Sequence, residues 1–137
     1  MDAGVLRYIN AGHPAPLLLR TGHVVGELPA GRRMPLGIDD PSADVGEEMM
    51  EPGDRLLLYT DGITEARDAR GRSFGTDRLI DFAERSGADG LPAPETLRRL
   101  AHDVLDHQGG LLQDDATLLM VDWRPANPSV APLPVTE

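Results

Sequence analysis

Hydrophobic residues fall into short runs in the first half of the chain and into helix-like stripes in the second half. Turns rich in Gly, Pro and His separate the early runs, a pattern typical of β-strands. We expect the last two of these runs to pair with each other across the Pro52-Gly53 turn, so that the first half forms an antiparallel meander. The strands predicted in this way cover residues 5–10, 16–20, 24–28, 43–50 and 56–59.

Two helices and a final strand are predicted after this meander. Thr76 is a candidate N-cap for a helix that runs to about Arg85, with Leu79, Phe82 and Ala83 on one face. Strands followed by helices and one more strand indicate an α+β fold.

The second helix is predicted from about Pro94, because apolar residues recur at positions i, i+3, i+4, i+7 and i+8. Gly109-Gly110 ends it, and the final strand reaches to about Trp123. We expect the apolar stripe to pack against a sheet as core. Its residues are Leu97, Leu100, Ala101, Val104 and Leu105.

Acidic residues mark the ends of two predicted strands. Asp61 follows the apolar run 56–59, and Gly62 would let the backbone turn there. Asp114 and Asp115 precede the last strand, and adjacent carboxylates repel each other unless a cation or hydrogen bonds compensate them. Carboxylates are the ligands of hard cations, so both ends could converge on Mg²⁺ or Mn²⁺. An Asx-type turn is the alternative for an isolated Asp-Gly pair.

Composition limits the possible functions without choosing one. The chain has 137 residues, enough for one domain, and its formal net charge of −10 argues against nucleic acid or an anionic membrane as a partner. The absence of cysteine excludes disulfides and thiolate metal sites and fits a reducing cytoplasm. No apolar run approaches the roughly 20 residues of a membrane span, so membrane insertion is not expected.

The chain divides into one folded unit and a tail. Residues 1–123 carry all the predicted strands and helices, with a polar link over 39–42. Residues 124–137 are rich in proline and are predicted to be disordered.

Five segments, taken in order, resemble a known family. Together they are similar to the C-terminal part of a PPM-type (PP2C-like) serine/threonine phosphatase domain, in the branch typified by SpoIIE and RsbU. The segments are Tyr-Ile-Asn-Ala-Gly-His-Pro-Ala-Pro-Leu at 8–17, Pro-Leu-Gly at 35–37, Gly-Asp-Arg-Leu-Leu-Leu-Tyr-Thr-Asp-Gly-Ile-Thr-Glu at 53–65, Phe-Gly at 74–75 and Asp-Asp-Ala-Thr-Leu-Leu at 114–119.

This resemblance implies an antiparallel β-sandwich flanked by helices, with a binuclear Mn²⁺ or Mg²⁺ centre. The metals would activate a water for direct attack on phosphoserine or phosphothreonine, without a phosphoenzyme. Asp61 and Asp114 match metal-binding positions of the family. Asp115 occupies the adjacent position, where many relatives have Asn, so its direct ligation stays open. Gly62 would be the backbone hinge behind Asp61.

One family motif has no match in the chain. The family's first acidic motif, Gly-Asp followed by Gly-His-Gly or similar, belongs upstream of the first predicted strand. We therefore expect a fragment that lacks the N-terminal part of the domain, holds half of a metal site and has weak or no activity alone. The resemblance implies a phosphorylated regulatory protein as substrate, commonly an anti-sigma-factor antagonist.

Two other functions are alternatives to the one that this resemblance implies. Haloacid-dehalogenase phosphatases carry Asp-x-Asp-Gly-Thr, but Tyr59 stands at the nucleophile position and Ile63 replaces the threonine, which removes the covalent chemistry. A phosphatase remnant that only binds a partner protein remains open, because the first acidic motif is missing.

Several basic residues have a structural and a functional interpretation. His13 could form a turn hydrogen bond or contact substrate. Arg32-Arg33 could be a solvated pair or could attract a phosphate. His102 and His107 are five residues apart on a predicted helix, which does not place them on one face, so we expect surface positions.

Overall fold

The structure, a computed structural model, describes residues 4–38, 44–110 and 114–124. The predicted link at 39–42 and residues 125–137 of the predicted tail lie outside these ranges. The strands are β1 (Gly4–Tyr8), β2 (Asn10–Ala11), β3 (Leu17–Arg20), β4 (His23–Glu27), β5 (Arg32–Arg33), β6 (Gly46–Met50), β7 (Arg55–Tyr59) and β8 (Leu118–Asp122), and the helices are α1 (Asp61–Thr64), α2 (Thr76–Ala88) and α3 (Ala93–His107).

A four-stranded antiparallel sheet with the order β4-β3-β7-β8 forms the centre of the fold. Strand β7 lies inside it because its leucines are buried on both faces: Leu56 is 6 % exposed and Leu57 is fully buried. Leu57 pairs with Leu17 of β3 on one side and with Met120 of β8 on the other.

The predicted meander is wrong in one pairing. Strand β6 does not pair with β7 across the Pro52-Gly53 turn. It pairs with β1 in a separate two-stranded antiparallel ribbon, with Val5 opposite Met49. Both sides of β7 are already occupied by β3 and β8, so β6 crosses to the other layer. A short parallel pair, β2 with β5, lies beside this ribbon.

Alternation along the strands gives the central sheet two apolar faces. One face packs against α2 and α3, and the other packs against the β1–β6 ribbon. The buried residues of the helix side include Leu17, Leu19, Leu57, Tyr59, Leu79, Phe82 and Leu100, and those of the ribbon side are Leu18, Leu28, Met50 and Leu56.

Helices α2 and α3 match their predicted positions, with two differences, whereas the single turn α1 is not among the predicted helices. Gly75, at a φ of 82°, is the N-cap of α2, so Thr76 is the first helical residue and makes no capping hydrogen bond. The stripe of α3 is only partly core: Leu100 and Val104 are buried, whereas Ala101 and Leu105 are exposed. Among the described residues no helix is long and apolar enough to span a membrane.

A buried ion pair fixes the corner between β6 and β7. Asp54 is 1 % exposed, and its two carboxylate oxygens accept from Nε and Nη2 of Arg20 at 3.0 and 2.8 Å. The backbone N–H of Glu51 donates to the same carboxylate at 2.8 Å.

Replacing Asp54→Asn should lower the free energy of unfolding by about 2–3 kcal/mol, because an amide replaces the buried carboxylate that accepts hydrogen bonds from Arg20 and from the N–H of Glu51. Urea unfolding of the two proteins measures the difference. The matched control is Asp81→Asn, which removes an exposed pair with Arg85 and should cost about 1 kcal/mol or less. Equal effects of the two substitutions would contradict the role given to Asp54.

The same pair should make stability depend on pH in the acid range. The hydrogen bond from Arg20 lowers the pKa of Asp54 below 3.8, against the opposing effect of burial. The stabilisation is therefore present above about pH 4 and is lost as the pH falls through the folded-state pKa. The difference in unfolding free energy between the natural chain and Asp54→Asn should shrink below about pH 4. A difference that stays constant with pH would be inconsistent with this assignment.

Candidate metal and substrate site

Asp61 lies where the central strand β7 ends. It is the exposed first residue of α1, a single helical turn whose N-cap is Thr60. The predicted role of Gly62 as a backbone hinge is wrong, because Gly62 is helical and is not among the glycines with positive φ. Its lack of a side chain serves a different purpose.

Gly62 allows a close approach of two chain segments. A Cβ at this position would collide with the backbone carbonyl oxygen of Asp115. Two hydrogen bonds join the same segments: the N–H of Thr60 donates to the carbonyl of Thr117 at 3.1 Å, and the N–H of Thr117 donates to Oγ1 of Thr60 at 2.9 Å. The end of β7 and the segment before β8 are thereby held side by side.

Asp114 and Asp115 lie in this second segment, and both are exposed. Asp114 lies four residues and Asp115 three residues before Leu118, the first residue of β8, so neither opens the strand directly. Oδ1 of Asp114 accepts from the N–H of Asp115 at 2.7 Å. Within the described parts of the chain, none of Asp61, Asp114 and Asp115 forms an ion pair with a basic side chain.

The donor set fits a hard cation in chemistry but is incomplete in number. Carboxylate oxygens without cationic partners, at the edge of a sheet, are suitable ligands for Mg²⁺ or Mn²⁺. In the part of the chain that the structure describes, however, no group of three or more acidic, histidine or cysteine side chains could hold a metal ion. The predicted roles of Asp61, Asp114 and Asp115 as ligands stay predictions.

A groove of about 420 Å³ opens beside this edge of the sheet. It lies between the β1–β6 ribbon and the central sheet, and most of its lining is apolar, including Leu6, Leu58 and Leu119. The sequence does not predict this groove, because the residues that line it come from strands that are distant along the chain. The residues at its polar part are Asn10, His13, Thr60 and Thr117.

Tyr59 also lines this groove. Burial, and secondarily the carboxylate of Glu27, raises the pKa of the Tyr59 phenol above 10.0. The phenol is therefore neutral at physiological pH, and it belongs to the helix-side core.

Asn10, 7 % exposed, builds the turn that carries His13. Its side-chain N–H groups donate to the carbonyls of His13 and Pro14 at 3.0 and 3.1 Å, and its oxygen accepts from the N–H of His13 at 2.9 Å. Gly12, at a φ of 85°, lies against Pro35. The turn predicted at His13 is therefore present, and the side chain of Asn10 makes its hydrogen bonds.

The other basic residues occupy different surroundings. Strand β5, which is Arg32–Arg33, pairs with Asn10–Ala11 and so lies beside the turn of His13. His102 is exposed, as expected, and its Nε2 lies 3.4 Å from Oδ2 of Asp106.

His107 is not the surface residue that was expected. It is half-buried, its Nε2 lies 2.9 Å from the carbonyl of Arg72, and its Nδ1 lies 2.7 Å from Nη1 of Arg78. Its ring also meets Phe74 edge-on at 5.6 Å. His107 thus ties the end of α3 to the loop before α2.

Comparison with known proteins identifies the family. The profile of the family described as Stage II sporulation protein E (SpoIIE) matches residues 1–124. Protein IcfG of Synechocystis is 32 % identical over an alignment of 123 residues that covers 86 % of this chain and 18 % of that protein. The chain therefore spans about a fifth of this curated relative.

Solved structures agree with the fold. The SiaA-PP2C domain of Pseudomonas aeruginosa superposes with a TM-score of 0.72 at 26 % identity, over 87 % of this chain and 46 % of that one. The SpoIIE phosphatase domain of Bacillus subtilis gives 0.67 at 21 % identity, over 96 % and 56 %. The RsbU and RsbW domains of a Mycobacterium tuberculosis protein give 0.59 at 30 % identity, over 92 % and 35 %.

The α+β fold is therefore confirmed as part of a PPM-type phosphatase domain, since the chain covers about half of the first two solved chains. The chain belongs to the SpoIIE family and is a portion of a PP2C-like phosphatase domain of the SpoIIE/RsbU branch.

Proposed function

We propose that this chain contributes to a metal-dependent protein phosphatase that hydrolyses phosphoserine or phosphothreonine on a regulatory protein. One observation carries the proposal: the contact of Gly62 with Asp115 places Asp61 and the Asp114-Asp115 pair at the same sheet edge. Asp61 and Asp114 would be metal ligands, and Asp115 would ligate directly or support Asp114.

Bound Mn²⁺ or Mg²⁺ would supply an activated water and positive charge for the phosphoryl oxygens. The chain's own contribution is to hold the carboxylates in place. The Thr60–Thr117 hydrogen bonds fix the two segments, and the buried end of β7 at Tyr59 gives them a rigid base. Three carboxylates supply only part of a binuclear centre, so we propose that this chain alone has weak activity or none.

The proposed partner is a phosphorylated regulator, of which an anti-sigma-factor antagonist is the specific candidate, in the cytoplasm. The family match and the similarity to an RsbU domain support this proposal. The net charge of −10 further disfavours nucleic acid as a partner.

A second candidate is a phosphatase remnant that binds a protein without hydrolysing it. The observation in its favour is that, among residues 4–38, 44–110 and 114–124, the acidic side chains form no group of three that could hold a metal. Metal-dependent activity separates the two candidates.

Hydrolysis of an aryl phosphate in the presence of Mn²⁺ is the direct test of the proposed function. We expect the full chain to show little turnover, and we expect any turnover present to fall at least about tenfold in Asp61→Asn, because a metal ligand is lost. Isothermal titration calorimetry should show that Asp61→Asn also binds Mn²⁺ more weakly than the natural chain does.

Asp77→Asn is the matched control, since Asp77 is an exposed acid in the first turn of α2, outside the two segments that carry the candidate ligands. It should leave Mn²⁺ binding and turnover unchanged. Efficient turnover by the natural chain would show that its metal site is complete. Mn²⁺ binding that survives in Asp61→Asn would refute the ligand role of Asp61.

Gly62→Ala should destabilise the chain by about 1–3 kcal/mol, because the added methyl group forces α1 away from the Asp115 backbone. Urea unfolding measures the effect. The control is Gly26→Ala, since a Cβ at Gly26 has open space around it and should change stability by about 0.5 kcal/mol or less. If the two substitutions had the same effect, the close approach would not be a constraint.

A further inference from the structure

The side chain of His13 is not needed for the turn that contains it. The three hydrogen bonds of the turn use the amide of Asn10, the backbone of His13 and the carbonyl of Pro14. Any side chain at position 13 could make them. In the described residues the imidazole of His13 has no hydrogen bond or ion pair, and it is exposed.

The position of His13 relates it to the candidate metal site. His13 lines the same groove as Thr60 and Thr117. Thr60 immediately precedes Asp61, and the Thr60–Thr117 hydrogen bonds join the segments that carry the site acids. A turn held by the buried amide of Asn10 gives His13 a fixed location at that groove.

Charge gives His13 a distinct role there. A phosphate monoester is an anion, and it must approach a chain of net charge −10 at an edge that carries exposed carboxylates. Among the described residues that line the groove, His13 is the one whose side chain can carry a positive charge. The β2–β5 pairing places Arg32–Arg33 beside the turn and adds positive charge to the same region.

We propose that His13 is a substrate-contacting residue whose imidazole N–H donates a hydrogen bond to a phosphoryl oxygen of the phosphorylated serine or threonine. This inference rests on the proposed phosphatase function, since it names a contact to that reaction's substrate. A hydrogen bond between an imidazole and a phosphoryl oxygen is charge-assisted and is among the stronger polar contacts.

The test is an NMR titration of the full chain, labelled at its histidines, with inorganic phosphate and then with phosphoserine, in the presence of Mg²⁺. We expect both ligands to shift the imidazole signals of His13 and to leave those of His23 in place. His13→Gln should weaken phosphate binding by about tenfold or more, the usual effect of losing one hydrogen bond to a charged group.

His23→Gln is the matched control, because His23 is exposed in the β3–β4 hairpin and does not line the groove. It should bind phosphate like the natural chain. The His13→Gln variant should fold normally, since the turn uses only the backbone of residue 13, and the dispersion of its amide spectrum verifies this.

The outcomes separate this inference from the proposed function. Unshifted His13 signals at high phosphate, or equal phosphate affinity of His13→Gln and His23→Gln, would overturn the role of His13. Those results would leave intact any turnover that requires Asp61. Phosphate-dependent shifts of His13 without turnover that requires Asp61 would support the contact and count against catalysis by this chain.

Discussion

The buried carboxylate of Asp54 is the constraint on which the central strand depends. An ionised carboxylate that leaves water loses several kcal/mol of solvation unless donors replace the water. Here the Arg20 guanidinium and the Glu51 N–H replace it. The backbone carbonyl of Asp54 also accepts from the N–H of Trp123 at 2.8 Å. One residue therefore ties β3, the β6–β7 corner and the end of β8 together.

The position of the candidate site follows from this constraint at the other end of β7. Once Asp54 fixes where β7 begins, the pairing register places Tyr59 opposite Leu118. Five residues of strand span about 16 Å. The ion pair that fixes the position of Asp61 therefore lies well outside the surroundings of Asp61. Gly62 then permits the backbone of Asp115 to approach. The segments that carry the acidic residues meet because of strand register, and not because of any direct interaction between the acidic side chains.

Sequence patterns predicted those features of the fold that depend on residues close together in the chain. Burial and periodicity produce recognisable patterns in residues that are close together in the sequence. The sequence therefore predicted the apolar run of β7, the helical stripe of α3 and the acids beside two strands. Pairing partners were not predictable in this way. Strand β6 was expected beside β7, because a Pro-Gly turn separates them, but the occupied sides of β7 exclude it. Gly62 was identified for its backbone freedom, whereas its role is to make room for a residue 53 positions later.

His13 and the groove show the same limit at the level of function. The motif drew attention to His13, but the choice between a turn residue and a substrate contact required knowing what Asn10 bonds to. The groove itself is made by residues from β1, β7, β8 and the turn after β2, so no single segment of sequence encodes it.

The distribution of ion pairs distinguishes structural acids from candidate functional acids. Acids that hold the fold have arginine partners: Asp54 has Arg20, and Asp122 has Arg55 at 2.9 Å. Half-buried Glu95 accepts hydrogen bonds from two arginines, Arg98 and Arg99, which lower its pKa to about 2. Throughout the described residues, the three acids at the sheet edge have no such partner, although two of them are adjacent in sequence. Uncompensated carboxylates held in one place repel each other and do not stabilise a fold. Their position where β7 and β8 meet therefore supports the proposal that they bind a cation.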